Sequence, residues 1–244
     1  VLHGAGVIVS GSDMNESANV SHLRSLGIRV VIGHLPESVQ DVDCVIRTAA
    51  VHDSNPEIAA ALTAGIPVFE RAQAWGALMQ QYENALCVSG THGKTTTTSL
   101  ISHILDAANV PHFTAGNIGI PLCEIVMEEG LMEESDHYIA LEISNYQLVN
   151  IDRFRPDVAT IINLAPDHVD FMGSLEAYYK SKTEVYRNMT PEDTFLLNAD
   201  DPVLAEYVEK YPVPATVRSF SLDRTDTDTN AVKTDTERSE IELL

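Results

Sequence analysis

Cysteine is scarce in this chain. Its 244 residues hold three, Cys44, Cys87 and Cys123. The count is odd and no CxxC spacing occurs, which argues against a disulfide framework or a zinc site and fits a reducing cytoplasm. Positive charge is scarce too: 15 Lys and Arg stand against 36 Asp and Glu, a formal net charge of -21. A surface of that sign repels nucleic-acid phosphate and anionic membrane, so neither is expected as a partner. No apolar run approaches the ~18 residues that a membrane span needs. No charged segment followed by an apolar core opens the chain, so no signal peptide is expected. What is present is 44% hydrophobic residues, enough for a packed core. The length fits one large or two small domains.

The first eighty or so residues alternate short apolar runs with helical patterns. VIVS (7–10), IRVVIG (28–33) and CVIRTAA (44–50) read as strands, and 17–26, 56–64 and 70–82 as helices. Strands alternating with helices imply βαβ units and a parallel sheet. A second unit starts near Asn84, with NALCVSG (84–90) as a strand that runs into a glycine-bearing turn. THGKTTTTSLISHILDAA (91–108) then has a helical period that puts Leu100, Ile101, Ile104 and Leu105 on one face. Further strands are expected at 137–142, 157–163 and 194–198, and helices near 174–189 and 201–210. The polar, charge-rich stretch 223–239 reads as a loop or frayed edge. Val1-Leu2-His3 opens in mid-helix register and Glu242-Leu243-Leu244 closes as a strand begins, so a chain truncated at both ends is expected.

Residues 88–98, VSGTHGKTTTT, carry the clearest chemical signal. Gly90-Thr91-His92-Gly93-Lys94-Thr95 is a shortened form of the phosphate-binding GxxxxGK[ST] loop. A strand delivers the chain to a tight turn, glycines let backbone N–H groups face phosphate oxygens, and the next helix offers its N-terminus. Lys94 supplies a point charge to the β- and γ-phosphates, and the Thr95 hydroxyl can reach Mg²⁺. The competing reading is a glycine turn before a helix with an incidental lysine. The order of strand, turn, Gly-Lys-Thr and helix favours nucleotide binding.

Downstream, Glu142 ends the apolar strand YIALE, and His168 follows VATIINL and Ala165-Pro166-Asp167. Both fall just past strand ends, where open α/β sheets bind ligands. Taken singly, Glu142 is a solvated strand end and His168 a loop residue. Their shared placement with the phosphate loop favours company for Mg²⁺. Lys182 sits in a helical stretch and reads alone as a solvated charge. Asn117, between two glycines, reads as a turn residue. Asn198 precedes Asp200 and Asp201, either of which could cap the next helix.

In this order VSGTHGKTTTT, LEISNYQL, NLAPDHVD, YKSKTEVY and LLNADDP resemble the Mur ligases, which build the peptide stem of peptidoglycan precursors. The resemblance covers the whole chain. It implies an α/β fold: a Rossmann-like domain over about 1–82 that binds the UDP-N-acetylmuramoyl substrate, then a P-loop ATPase-type domain with a mostly parallel sheet over about 83–244. It implies ATP and Mg²⁺ as cofactors. A substrate carboxylate attacks the γ-phosphate of ATP, and the amine of a free amino acid displaces phosphate from the acyl phosphate. Gly90, Thr91, His92, Gly93, Lys94, Thr95 and Thr96 match the nucleotide loop, and Asn198 the residue near adenine. Thr95, Glu142 and His168 match metal-side positions, and Lys182 matches a lysine that is carbamylated in several members. Lys94, Lys182 and His168 are thereby the catalytic candidates. Ser12, Asp13, His34, Asn117 and Ser144 match substrate-side positions.

The two parts resemble different members. SGSD (10–13), IGH (32–34), SNPEIAAA (54–61) and PVFERAQAWG (67–76) resemble the L-alanine-adding ligases. GNIGIPL, EISNYQL and the Lys182 segment resemble the D-glutamate-adding ones, and D-glutamate is slightly favoured because these lie nearest the chemistry. The resemblance leads one to expect that the glycine-rich turn that opens the first family domain and the carboxyl-terminal amino-acid-binding domain are both missing. The chain alone is therefore expected to bind nucleotide weakly and to ligate poorly or not at all. The alternatives are a P-loop ATPase or kinase, disfavoured for want of a Walker B-like run, and a non-catalytic nucleotide-binding fragment. Folylpolyglutamate synthetase, a relative in fold, lacks an N-terminal domain of this kind. Oligomeric state is not readable.

Overall fold

The computed structural model describes residues 1–48, 50–79, 84–117, 137–167, 172–222, 227–233 and 239–243. The chain forms two compact units, Val1–Ala74 and Trp75–Leu244.

The first unit runs β1 (Ser10–Asp13), α1 (Ala18–Ser25), β2 (Arg29–Ile32), a 3₁₀ turn (Pro36–Val39), β3 (Val45–Arg47), α2 (Pro56–Thr63), β4 (Val68–Glu70) and the start of α3 (Arg71–Met79). β1 pairs parallel to β2, and β3 parallel to β4. Helix starts follow the sequence. The Ser17 hydroxyl accepts from the Val20 amide at α1, and Asn55 caps α2 ahead of Pro56. Val20, Ile28 and Val30 form a small core with Val9 against it. The first strand lies at 10–13, later than the expected 7–10. Its pairing is a backbone matter, Ser10 opposite Arg29 through Asp13 opposite Ile32. The apolar run before it is only partly inward: Val9 packs while Ile8 is fully exposed.

The second unit is built on an eight-stranded sheet in the order β12-β11-β10-β9-β8-β5-β7-β6. The strands are β5 (Ala85–Ser89), β6 (His112–Gly116), β7 (Tyr138–Glu142), β8 (Val158–Ile161), β9 (Thr194–Asn198), β10 (Thr216–Ser221), β11 (Thr229–Lys233) and β12 (Ser239–Leu243). Every neighbouring pair is parallel except β11 with β12. Among the described residues the α-helices are α4 (Lys94–Ala107), α5 (Asn145–Leu148), α6 (Leu175–Thr183) and α7 (Pro202–Lys210). β5 and β7 are apolar almost throughout because both of their faces are covered. Ala85, Cys87, Val88, Ile139, Ala140 and Leu141 are all buried. Burial also pushes the Cys87 thiol far above its ordinary pKa. Trp75 stacks on Phe154, with ring centroids 5.5 Å apart. A doubly hydrogen-bonded pair, Arg155 to Asp193 at 2.9 Å on each arm, ties the segment before β8 to the start of β9.

Three expectations need correction. The polar stretch 223–239 contains a strand, β11, where a loop or frayed edge was expected. Strand pairing is made by backbone groups and does not need an apolar side-chain pattern. β6 and β10 were not anticipated, for the same reason. Lastly, Leu100 and Ile104 of α4 are exposed, not turned to the core. The sheet side of α4 carries hydroxyls instead. Thr95 meets Glu142, Thr98 is buried, and Ser102 meets His112 on β6. At about 100° per residue, fixing Thr95 against β7 rotates Leu100 by about 140° and Ile104 by about 180° from that contact. The site chemistry sets the helix's rotation, and the apolar stripe faces outward. Among the described residues no helix is long and apolar enough to cross a membrane.

Candidate active site

β5 lies between β7 on one side and β8 on the other, and the chain leaves β5 to build each flank in turn. Its carboxyl end is thus a switch point, where a crevice opens between diverging connections. The loop from Gly90 to Gly93 sits there. Gly90 has φ +139° and Gly93, the N-terminal cap of α4, has φ +80°. Both values favour glycine. The first intrahelical bond of α4 runs from the Thr97 amide to the Gly93 carbonyl at 2.9 Å. The amides of Gly93, Lys94, Thr95 and Thr96 precede it and have no acceptor within the helix. They form an anion-facing helix terminus. Lys94 Nζ folds back on the loop, donating to the carbonyls of Gly90 and Thr91 at 3.0 Å each.

From β7, the Glu142 carboxylate reaches α4. Its Oε2 accepts from the Thr95 hydroxyl at 2.8 Å, and its Oε1 accepts from Asn117 Nδ2 at 3.2 Å. Glu142 is 2% exposed. No cationic side chain pairs with it among the described residues, so a buried negative charge is met only by neutral donors. That is the setting a divalent cation would complete. A hydroxyl, a carboxylate and phosphate oxygens are the hard donors Mg²⁺ takes. Among the described residues no group of three or more His, Cys, Asp or Glu could hold a metal ion. His168 lies outside the described residues.

Lys182, on α6, is 1% exposed, and its Nζ donates to the Gly90 carbonyl at 2.9 Å. It also sits 4.5 Å from the centre of the Tyr178 ring. Burial, and after it the positive charge of Lys94, lowers its pKa to about 7, with Asp167 pulling the other way. The solvated-charge reading of this lysine is therefore wrong: it is a buried amine against the phosphate loop. Between about pH 7 and 10.5 the unfolded chain holds a proton that the folded chain lacks. The destabilisation is full below pH 7 and is relieved as pH rises toward 10.5. Lys182→Met is accordingly expected to be stabilised relative to the native protein by a margin on the order of a few kcal/mol at pH 6. The margin should shrink by pH 9.5. Urea unfolding at both pH values in bicarbonate-free buffer measures it, and a margin unchanged with pH would contradict the assignment.

Ser144 starts α5 in a capping box with Gln147, two residues past Glu142. Asn198, at the end of β9, donates from Nδ2 to the Ile162 carbonyl at 2.9 Å, joining its strand end to that of β8. Asp201 caps α7 and also accepts from the Leu164 amide at 2.8 Å. The loop residues, Glu142, Asn117 and Lys182 are therefore linked by direct contacts.

In the first unit, Ser12 and His34 come together while Asp13 does not join them. Ser12 Oγ donates to Glu57 Oε2 at 2.6 Å, and His34 Nδ1 lies 3.0 Å from the same oxygen. Asp13 accepts from the Asn15 amide in its own turn. The cluster lines a cleft of about 250 Å³ with Arg47 and Ile58. Glu57 is 8% exposed, and its Oε1 has no partner among the described residues. Sequence reading missed Glu57. Its place directly after Asn55-Pro56 marks a helix start, a signal that conceals a site carboxylate.

Asn163 was also missed as a site residue. Its side chain contacts the backbone of Thr91 and His92 in the phosphate loop. The signal available was its position two residues beyond the paired end of β8, within the NLAPDH segment.

Two family descriptions match the chain, "Mur ligase family, catalytic domain" over residues 1–83 and "Mur ligase middle domain" over residues 88–244. The UDP-N-acetylmuramoylalanine--D-glutamate ligase of Geobacillus kaustophilus is 35% identical over 204 residues, 82% of this chain and 44% of that protein. The UDP-N-acetylmuramate--L-alanine ligase of Clostridium novyi is 34% identical over 229 residues, 93% of this chain and 48% of that protein. The chain thus spans about half the length of the curated relatives it matches. The crystal structure of the UDP-N-acetylmuramate-alanine ligase of Thermotoga maritima matches with a TM-score of 0.60 at 25% identity, over 95% of this chain and 50% of that one. The Neisseria UDP-N-acetylmuramate:L-alanyl-gamma-D-glutamyl-meso-diaminopimelate ligase shares the fold, with a TM-score of 0.69 at 20% identity over all of this chain and 78% of its own. A strand-end carboxylate bonded to the threonine of a glycine-lysine-threonine loop, together with family matches over nearly the whole sequence, shows that this chain belongs to the Mur ligase family.

Proposed function

We propose that the chain is the nucleotide- and precursor-binding part of an ATP-dependent ligase that joins an amino acid to a UDP-N-acetylmuramoyl substrate in peptidoglycan precursor synthesis. The observation that carries this reading is the contact between Thr95 of the phosphate loop and the buried Glu142 carboxylate. Residues up to about 82 hold the UDP-muramoyl substrate, with Ser12 and His34 beside Glu57 as the polar floor of a cleft. Residues from about 83 hold ATP, with Asn198 toward the adenine.

In this reading the amides of the α4 terminus and Lys94 orient the triphosphate. Thr95, Glu142 and His168 would hold Mg²⁺, which supplies charge neutralisation between the phosphates. A substrate carboxylate oxygen bonds to the γ-phosphorus as the β,γ-bridging P–O bond breaks, releasing ADP. The amino acid's amine then bonds to the carbonyl carbon, the C–O bond to phosphate breaks, and the amine gives up a proton. Asn117 and Ser144 stand on the substrate side of Glu142. Lys182, neutral in part near pH 7, is suited to add to carbon dioxide: its nitrogen bonds to carbon and loses a proton. The product carries a negative charge next to the loop that an amine cannot provide. That buried lysine and Asn117 favour D-glutamate as the amino acid, with L-alanine next. ATP as co-substrate and the free Cys44 and Cys87 fit a cytoplasmic setting.

The test is titration calorimetry of the chain with ATP, with and without Mg²⁺, followed by phosphate release with UDP-muramoyl acceptor and amino acid supplied singly and together. The expected result is Mg²⁺-dependent binding, with any release requiring both acceptor and amino acid. No Mg²⁺-dependent binding, or release that needs neither, would overturn the proposal.

A further inference from the structure

We infer that Asn163 is a positioning residue for the phosphate loop, occupying the amides of Thr91 and His92 so that the phosphate-facing donors are confined to Gly93, Lys94, Thr95 and Thr96. The ligand half of this inference rests on the nucleotide reading above; the brace itself rests on geometry. The Asn163 Oδ1 accepts from the Thr91 amide at 3.2 Å and the His92 amide at 2.9 Å. Its Nδ2 donates to the His92 carbonyl at 3.0 Å, and its own carbonyl accepts from the Thr91 amide at 3.0 Å. A carboxamide is the side chain that can accept from two amides and donate to a carbonyl at once.

The platform under this brace is fixed in its turn. The Ile162 carbonyl takes Asn198 Nδ2, and the Leu164 amide gives to Asp201. The Ala165 amide gives to Thr91 Oγ1 at 3.0 Å, and that hydroxyl lies 3.2 Å from the Ala165 carbonyl. A Cβ on Gly90 would meet the Ile162 nitrogen at 3.2 Å and the Asn163 nitrogen at 3.3 Å, so the loop lies flat on the chain leaving β8. Two glycines at positive φ give the loop freedom, and Asn163 removes it before any ligand arrives. With two loop amides already engaged, the remaining donors are those of the first turn of α4.

Amide hydrogen exchange and ¹⁵N chemical shifts of the full chain, with MgADP as probe, test this. In the native protein the Thr91 and His92 amides should be protected without nucleotide, and MgADP should move the Gly93 to Thr96 amides most. Asn163→Ala should lose protection at the His92 amide, keep it at the Thr91 amide, whose main-chain acceptor remains, and in β8 and β9, and bind MgADP about tenfold more weakly. Asn163→Asp retains the accepting oxygen and should keep the two amides protected, which separates the brace from general loss of structure. Unchanged protection of the His92 amide in Asn163→Ala, or MgADP affinity within about twofold of native, overturns the inference. A native chain that binds no MgADP would overturn the nucleotide reading instead, and the exchange pattern would still decide the brace.

Discussion

Gly116→Ala is expected to cost more than about 3 kcal/mol of stability and to abolish Mg²⁺-dependent nucleotide binding. Gly116 ends β6 with φ +109°, opposite Glu142 in the β6–β7 register. An added Cβ would fall 2.0 Å from the Glu142 carbonyl oxygen. That atom is backbone and cannot rotate aside, so relief requires the two strand ends to part. Parting them also breaks the bond from the Asn117 amide to that carbonyl and withdraws Asn117 Nδ2 from the carboxylate. Gly173→Ala is the control. It too has positive φ, +74°, but among the described residues nothing lies within 4 Å of the new carbon. It should cost about 1 kcal/mol and leave binding intact. Urea unfolding and calorimetry of the two variants measure the contrast, and equal losses would show that backbone conformation, not the clash, governs the site.

Glu142→Gln should separate stability from function in the opposite direction. The substitution removes a buried negative charge that meets only neutral donors among the described residues. The amide oxygen can still accept from Asn117, and the amide nitrogen can donate to the Thr95 hydroxyl, which rotates to suit. Without ligands the variant is expected to be more stable by about 1–3 kcal/mol. Added MgATP should no longer stabilise it, and turnover in a competent ligase should fall by about a thousandfold, the scale of losing a group that holds the metal on transferring phosphate. Thermal melts with and without MgATP read both effects. A variant that is less stable without ligand and still stabilised by MgATP would show that Glu142 is a structural hydrogen-bond acceptor.

The parts of the fold that were legible are those where burial imposes a pattern. β5, β7 and β9 were visible because covered faces demand apolar residues, and the phosphate loop because glycine, lysine and threonine follow a strand in fixed order. What escaped was decided by contact across the sheet. α4 presents Thr95, Thr98 and Ser102 to the strands, so its outward stripe of Leu100 and Ile104 misled a reading based on periodicity. Lys182 looked like an ordinary helical charge because nothing nearby in sequence reveals that it lies against Gly90, 92 positions away. Asn163 reaches the loop across 71 to 72 positions, and Glu57 reaches Ser12 across 45. Such pairings follow from topology, and only the family resemblance gave Lys182 a role in advance.

The sealed interior of β5 has a chemical corollary. Cys44 is open to solvent, whereas Cys87 is closed off and held in its unreactive thiol form. An alkylating reagent can modify Cys87 only during moments when the central sheet opens. The strand that delivers the chain to the phosphate loop therefore carries a built-in clock, and a ligand seated on that loop should slow its ticking.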